Sequence, residues 1–157
     1  MLFSLIGLIW KKMPKSARRW LTRRVQTSFT VSVAGVITNE RGKVLLLNHV
    51  LRPVSGWGLP GGFVNAGEQP EAAFRREIYE ETGLKLSNVG FVHVRTLHRH
   101  LEIIFCANGI GEGVVKSREI TELGWFELDK MPEEMSMDQQ LLILNVLRPD
   151  DSKKEMG

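Results

Sequence analysis

The chain has 157 residues, 43% hydrophobic and 25% charged, with 15 Gly and 6 Pro, a composition that excludes collagen, coiled coil and wholesale disorder and suits one domain with one core. A single cysteine, Cys106, excludes an internal disulfide framework and any zinc site built on two or four cysteines. The formal net charge of +3 would as an average suggest an acidic partner, but the charge is unevenly distributed. Residues 1–28 hold Lys11, Lys12, Lys15, Arg18, Arg19, Arg23 and Arg24 and no acidic residue, leaving 14 of the 21 basic residues to set against all 18 acidic ones. The sequence thus divides into a basic arm (1–28), an acidic body (29–148) and a polar tail (149–157).

The arm opens with ten mostly apolar residues, Met1 to Trp10. As a helix they would span ~15 Å, against ~30 Å for a bilayer core, so they do not cross a membrane alone. The order is apolar first and Lys11-Lys12 after, the reverse of a secretory signal. Pro14 suits the first turn of a helix over 14–25, with Ala17, Trp20 and Leu21 on one face and Lys15, Arg18, Arg19 and Arg23 around them. Two readings stay open. Residues 1–25 rest on an anionic membrane surface, or Trp20 and Leu21 pack on the domain while the first dozen residues contact a partner or are disordered.

In the body, 29–37 reads as a strand and 39–42 as a turn ending in Gly42; 43–50 is a second, well-buried strand. Residues 52–67 contain too many Gly and Pro for a regular element. A helix follows over 70–82, with Pro70 in its first turn and Gly83 as its left-handed end. Strands are predicted over 89–97, 101–107 and 123–128. Ser136 with Gln139 forms a capping-box pattern that opens a helix whose 141–147 stretch, apolar nearly all round, is expected to be buried. With no internal repeat and no linker across 29–148, the body is one α/β domain.

On the 70–82 helix, Glu77, Glu80 and Glu81 stand at i, i+3 and i+4, within an arc of about 100°. Like charges at these spacings repel, which makes sense on a solvated acidic face or around a hard divalent cation such as Mg²⁺ or Mn²⁺. Phe74 and Ile78 offer anchorage on the neighbouring face, and Leu59-Pro60-Gly61-Gly62 supplies backbone able to approach closely.

The whole stretch Gly62–Leu84 resembles the Nudix hydrolase signature, with Gly62, Glu68, Arg76, Glu77, Ile78, Glu80, Glu81, Gly83 and Leu84 in register and no departure. The resemblance implies a mixed, curved β-sheet sandwiched between α-helices. It also implies Mg²⁺-dependent (Mn²⁺ as alternative) cleavage of a nucleoside diphosphate linked to another group X, with two or more ions bound once substrate is present. It implies Glu77, Glu80 and Glu81 as metal carboxylates, with the Gly61 carbonyl as a further ligand. Arg76 would orient a catalytic glutamate by hydrogen bonding, and Glu68 would be a structural acid at the start of the helix, one layer back from the metal. The general base in this family is a box glutamate, which here would be Glu77, or a glutamate from a later loop. Glu119, six residues before Trp125, resembles the loop acid of nucleotide-sanitising members, as ligand or base; Glu122 reads equally as a strand-edge surface residue.

Arg52 and Arg99 are candidates to hold substrate phosphate, and each reads equally as a solvated charge. Trp57 either stacks on a base or packs beneath the loop. His93, His98 and His100 read as surface or substrate-contact residues, with His98-Arg99-His100 at a turn, and Cys106 as a core residue. A second function class is a Nudix-like module that senses nucleotides without turnover; such modules often lose box residues, and none is lost here. Isopentenyl diphosphate isomerase, of similar fold, needs a catalytic cysteine in a setting that Ile104–Ala107 does not supply. The expected partner is a nucleotide or nucleotide derivative, with no specific nucleic-acid binding. A homodimer is compatible, and the expected location is cytoplasmic, or peripheral at a membrane through the arm. No side motif identifies X: where ADP-ribose enzymes often have Pro the chain has Arg99, and where many dinucleoside polyphosphate enzymes have Tyr it has His100.

Overall fold

A computed structural model describes residues 7–8, 10–25, 27–51 and 55–148. The chain forms two compact units, Met1–Thr30 and Val31–Gly157. In the first, helix α1 (Lys15–Val25) begins just after Pro14, whose carbonyl accepts the Arg18 N–H at 3.1 Å. Trp20 and Leu21 are exposed, and the Arg24 guanidinium lies 5.1 Å from the Trp20 ring centre. Among the described residues no helix is long and apolar enough to cross a membrane.

The second unit is built on a seven-stranded sheet with the strands β1 (Thr30–Thr38), β2 (Val44–His49), β3 (Trp57–Gly58), β4 (Gly61–Phe63), β5 (Lys85–Leu97), β6 (His100–Ile110) and β7 (Ile120–Phe126). The order is β3-β2-β1-β6-β5, with β4 against β1 and β7 against β2. Helix α2 (Pro70–Thr82) follows β4, and α3 (Met137–Leu147) follows β7.

Strand parity assigns the two faces, because successive side chains point to opposite sides of a sheet. Val33 and Ile37 of β1, Leu45 and Leu47 of β2, and Phe105 and Ala107 of β6 share a core with Ala73, Phe74 and Ile78 of α2. Their neighbours Ala34, Val36, Val44, Leu46 and Ile104 form the other core, with Leu142 and Ile143 of α3. A sheet buried on both sides reads as continuous apolar runs, which is why Val44 to Leu47 are all apolar and all buried. The fold is the expected mixed sheet between helices.

Several local expectations need correction. The stretch 52–67 contains the short strands β3 and β4. Phe63, Gly62 and Gly61 pair with Ser32, Val33 and Ala34, so the sheet supplies an order that Gly and Pro content hid. Strands β5 and β6 run longer than 89–97 and 101–107: a register shift between Ser87 and Gly90 takes up Asn88 at φ 50°, a conformation Asn tolerates, and the ladder continues past it. Ser136 makes no side-chain cap; Gln139 instead accepts the Leu59 N–H through Oε1 at 2.9 Å, 80 residues away in sequence. Helix α3 is one-sided, with Leu142 and Ile143 buried and Leu141 exposed. The α2 ends are as expected, with Gly83 at φ 71° donating its N–H to Tyr79 O.

Phe74 is fully buried and stacks on Phe105 with ring centres 5.1 Å apart, joining α2 to the sheet. Phe74→Ala is expected to cost about 3–5 kcal/mol of unfolding free energy, measured by urea denaturation.

Candidate active site on the acidic helix

Strand β4 delivers two glycines to the acidic face of α2. Gly61 has φ 148°, and a Cβ there would lie 2.1 Å from Val33 O, so no larger residue fits. Its N–H donates to Glu81 Oε2 at 3.2 Å, and Glu81 is buried. A Cβ at Gly62 would lie 2.3 Å from Glu77 Cδ; the space a side chain would need is filled by the Glu77 carboxylate.

Arg76 organises the remaining charges. Its Nε and Nη2 donate to the two oxygens of Glu68 at 2.8 and 2.9 Å, a bidentate pair. Nη2 also donates to Phe63 O at 3.1 Å, while Nη1 donates to Glu77 Oε1 at 2.7 Å and Glu80 Oε2 at 3.2 Å. Glu68 also accepts the Asn65 N–H at 3.0 Å. These bonds, the Arg76 pair first, hold the Glu68 carboxyl down at about 2, and the same pairing raises Arg76 above its ordinary range.

Glu77, Glu80, Glu81, Gly61, Arg76 and Glu68 are thus brought to one place. Among the described residues no three acidic, histidine or cysteine side chains converge on a single point; Arg76 bridges Glu77 and Glu80 instead. Glu119 stands apart, exposed in the loop before β7, with its N–H accepted by Ser117 Oγ. That loop is nonetheless tied to the end of α2: Lys116 N–H donates to Glu81 O and Val114 N–H to Thr82 O, both at 2.9 Å. Glu119 O accepts the Val50 N–H, and the next residue, Ile120, pairs with His49. Arg99 is exposed in the two-residue turn between β5 and β6. Arg52 lies outside the described residues. Glu122 is exposed, opposite Asn48. Trp57 meets Phe126 edge-on at 5.1 Å, a packing contact, and half-buried Cys106 donates to Gly90 O.

Beside Gly61 and Gly62 opens a cleft of about 310 Å³, also lined by Ser32, His49, Phe63, His100 and Glu102. Ser32 Oγ and His100 Nε2 are 2.8 Å apart, and the Phe63 ring meets His100 edge-on. Arg95 pairs with Glu102 across the hairpin. Sequence reasoning left Ser32, His49, Phe63, Arg95 and Glu102 unassigned. Centring the hairpin on His98-Arg99 would have placed Arg95 opposite Glu102, since both are equally distant from the turn; nothing comparable marks Ser32 or Phe63.

The depressed Glu68 carboxyl has a definite pH consequence. The ionised form is favoured in the folded chain, so its contribution is complete above about 4.5 and is lost as pH falls from there through about 2. Side-chain carboxyl ¹³C NMR is expected to show Glu68 titrating near 2, and Arg76→Ala to return it towards 4.5.

Comparison with known proteins agrees with this architecture. The family model described as NUDIX domain matches residues 28–145. A MutT-like protein of Streptomyces ambofaciens is 31% identical over 121 residues, covering 75% of this chain and 77% of that protein. An ADP-ribose pyrophosphatase of Methanocaldococcus jannaschii is 34% identical over 125 residues, covering 75% and 73%. The crystal structure of a MutT NUDIX hydrolase from Burkholderia pseudomallei superposes with a TM-score of 0.66 at 29% identity, over 74% of this chain and 97% of that one. With an uninterrupted Gly62–Leu84 signature folded as the end of β4, a loop and helix α2 within this match, the chain belongs to the Nudix hydrolase family.

Proposed function

We propose that this Nudix hydrolase is a Mg²⁺-dependent pyrophosphohydrolase, with Mn²⁺ as the alternative ion, that splits a nucleoside diphosphate joined to a group X into a nucleotide and phospho-X. The observation that carries this reading is the gathering of Glu77, Glu80 and Glu81 on one face of α2 against the backbone of Gly61 and Gly62, at the edge of an open cleft. The Methanocaldococcus relative named as an ADP-ribose pyrophosphatase supports a substrate of this class.

The donor set fits a hard divalent cation: three carboxylates and a peptide carbonyl, all oxygen. Glu81 is buried with one oxygen on the Gly61 N–H, and Glu80 is more than half exposed on a 3.2 Å bond, so Glu80 is free to exchange Arg76 for a cation. Glu77, Glu80, Glu81 and the Gly61 carbonyl would hold it. Bound there, the ion supplies Lewis-acid polarisation of the phosphoryl oxygens and a lowered pKa for attacking water. Arg76 orients Glu77, and Glu68 fixes Arg76. Glu119 accepts the water's proton or adds a ligand, a role supported by the hydrogen bonds that tether its loop to Glu81 and Thr82. Arg99, and Arg52 by its place in sequence, contact substrate phosphate. A nucleotide substrate and a single cysteine suit a cytoplasmic location.

Two experiments test this. With Mg²⁺, the protein is expected to turn over one or more of ADP-ribose, nucleotide sugars, dinucleoside polyphosphates, nucleoside triphosphates and capped RNA, read by separating the nucleotide products. Chelation should abolish turnover, and Glu80→Gln should lower it at least about 100-fold. Nucleotide binding without any product would establish the sensing module instead. Glu119→Gln is expected to lower kcat about 100-fold and remove the acidic limb of the pH–rate profile; an unchanged profile assigns the base to Glu77.

A further inference from the structure

The first unit has a charge and surface character that hydrolysis does not use. Residues 10–25 contain seven basic side chains and no acidic one, whereas the rest of the chain is net acidic. Trp20 is 60% exposed, and Leu8, Trp10 and Leu21 are also exposed. Trp20 and Leu21 are neighbours on α1, while Trp10 lines a separate concavity with Lys15, Arg18, Arg19 and Thr22, so large apolar side chains stand beside basic ones on more than one side of the helix. At 100° per residue, Ala17, Trp20 and Leu21 of α1 span an arc of about 100°, with Arg18 beside it and Lys15 and Arg19 on the opposite side. Arg24 falls within the apolar arc, but its guanidinium lies over the Trp20 ring, so its stem can follow apolar surface while the charge reaches outwards. Ser16, Arg19, Trp20 and Arg24 line one concavity, which sets two guanidinium groups beside an indole.

We propose that α1 and the residues just before it form a peripheral binding surface for an anionic lipid bilayer, tethering the hydrolase domain to it. The charge is complementary to acidic headgroups, each basic residue near such a surface raising partitioning about five-fold. The exposed Leu21 beside Trp20 favours lipid over nucleic acid. An indole also stacks on unpaired bases, but an aliphatic side chain gains only from the apolar layer of a bilayer interface. The helix is too short to span, so attachment is reversible and in the plane of the interface.

Full-length protein is sedimented with phosphatidylcholine vesicles, with and without one-third phosphatidylglycerol, and titrated separately with a single-stranded RNA oligonucleotide. The expected result is pelleting only with anionic vesicles. Arg18→Gln/Arg19→Gln and Trp20→Ser/Leu21→Ser should each weaken it about ten-fold or more, with thermal unfolding of the hydrolase domain unchanged. Equal pelleting with neutral vesicles, no pelleting, or full binding by the Trp20/Leu21 variant overturns the proposal, as does RNA binding without vesicle binding.

Discussion

All five N–H donors of Arg76 are engaged: two by Glu68, one by the Phe63 carbonyl, one by Glu77 and one by Glu80. Without a cation between them, carboxylates at i+3 and i+4 repel, each pair weakening a helix by about 0.2–0.5 kcal/mol. The guanidinium offsets that repulsion and, through Glu68 and Phe63, fastens the glycine loop to the helix. Arg suits this position because its planar fork satisfies several acceptors in fixed directions, which a lysine ammonium cannot do. The same group therefore keeps the acidic face folded and sets where its carboxylates point.

This clamp needs a rigid support, which the doubly buried sheet provides. Phe74 and Ile78 enter the α2-side core while Glu77, Glu80 and Glu81 lie on the glycine-loop side, so one helix is anchored on one face and carries its carboxylates on the next. On the opposite side, Gln139 of α3 reaches the Leu59 N–H two residues before Gly61. Both helices thus hold the segment from Leu59 to Glu68 from opposite faces of the sheet. The loop before β7 adds a third support through the carbonyls of Glu81 and Thr82.

What the sequence revealed followed from local physics. The acidic arc, the Pro70 start and Gly83 end of α2, and the apolar runs of β1 and β2 are short-range patterns governed by helical and strand periods. The expectations that failed were those in which tertiary contacts override local signals. Residues 57–58 and 61–63 became strands because they pair with β2 and β1, and Gln139 left its capping pattern to accept the Leu59 N–H. The cleft walls Ser32, Phe63 and Glu102 come from three separate strands whose proximity is a property of strand order rather than of spacing.

The sequence by itself determined the family signature, the helix that bears the carboxylates, and the division into a basic arm and an acidic body, because each is written in contiguous residues. Only the tertiary structure decided that Arg76 also clamps Glu68 and the Phe63 carbonyl, that Glu81 is buried on the Gly61 amide, and that Glu119's loop is tied to the end of α2. Those arrangements depend on backbone hydrogen bonds and close glycine contacts between segments up to tens of residues apart, and no local period encodes them.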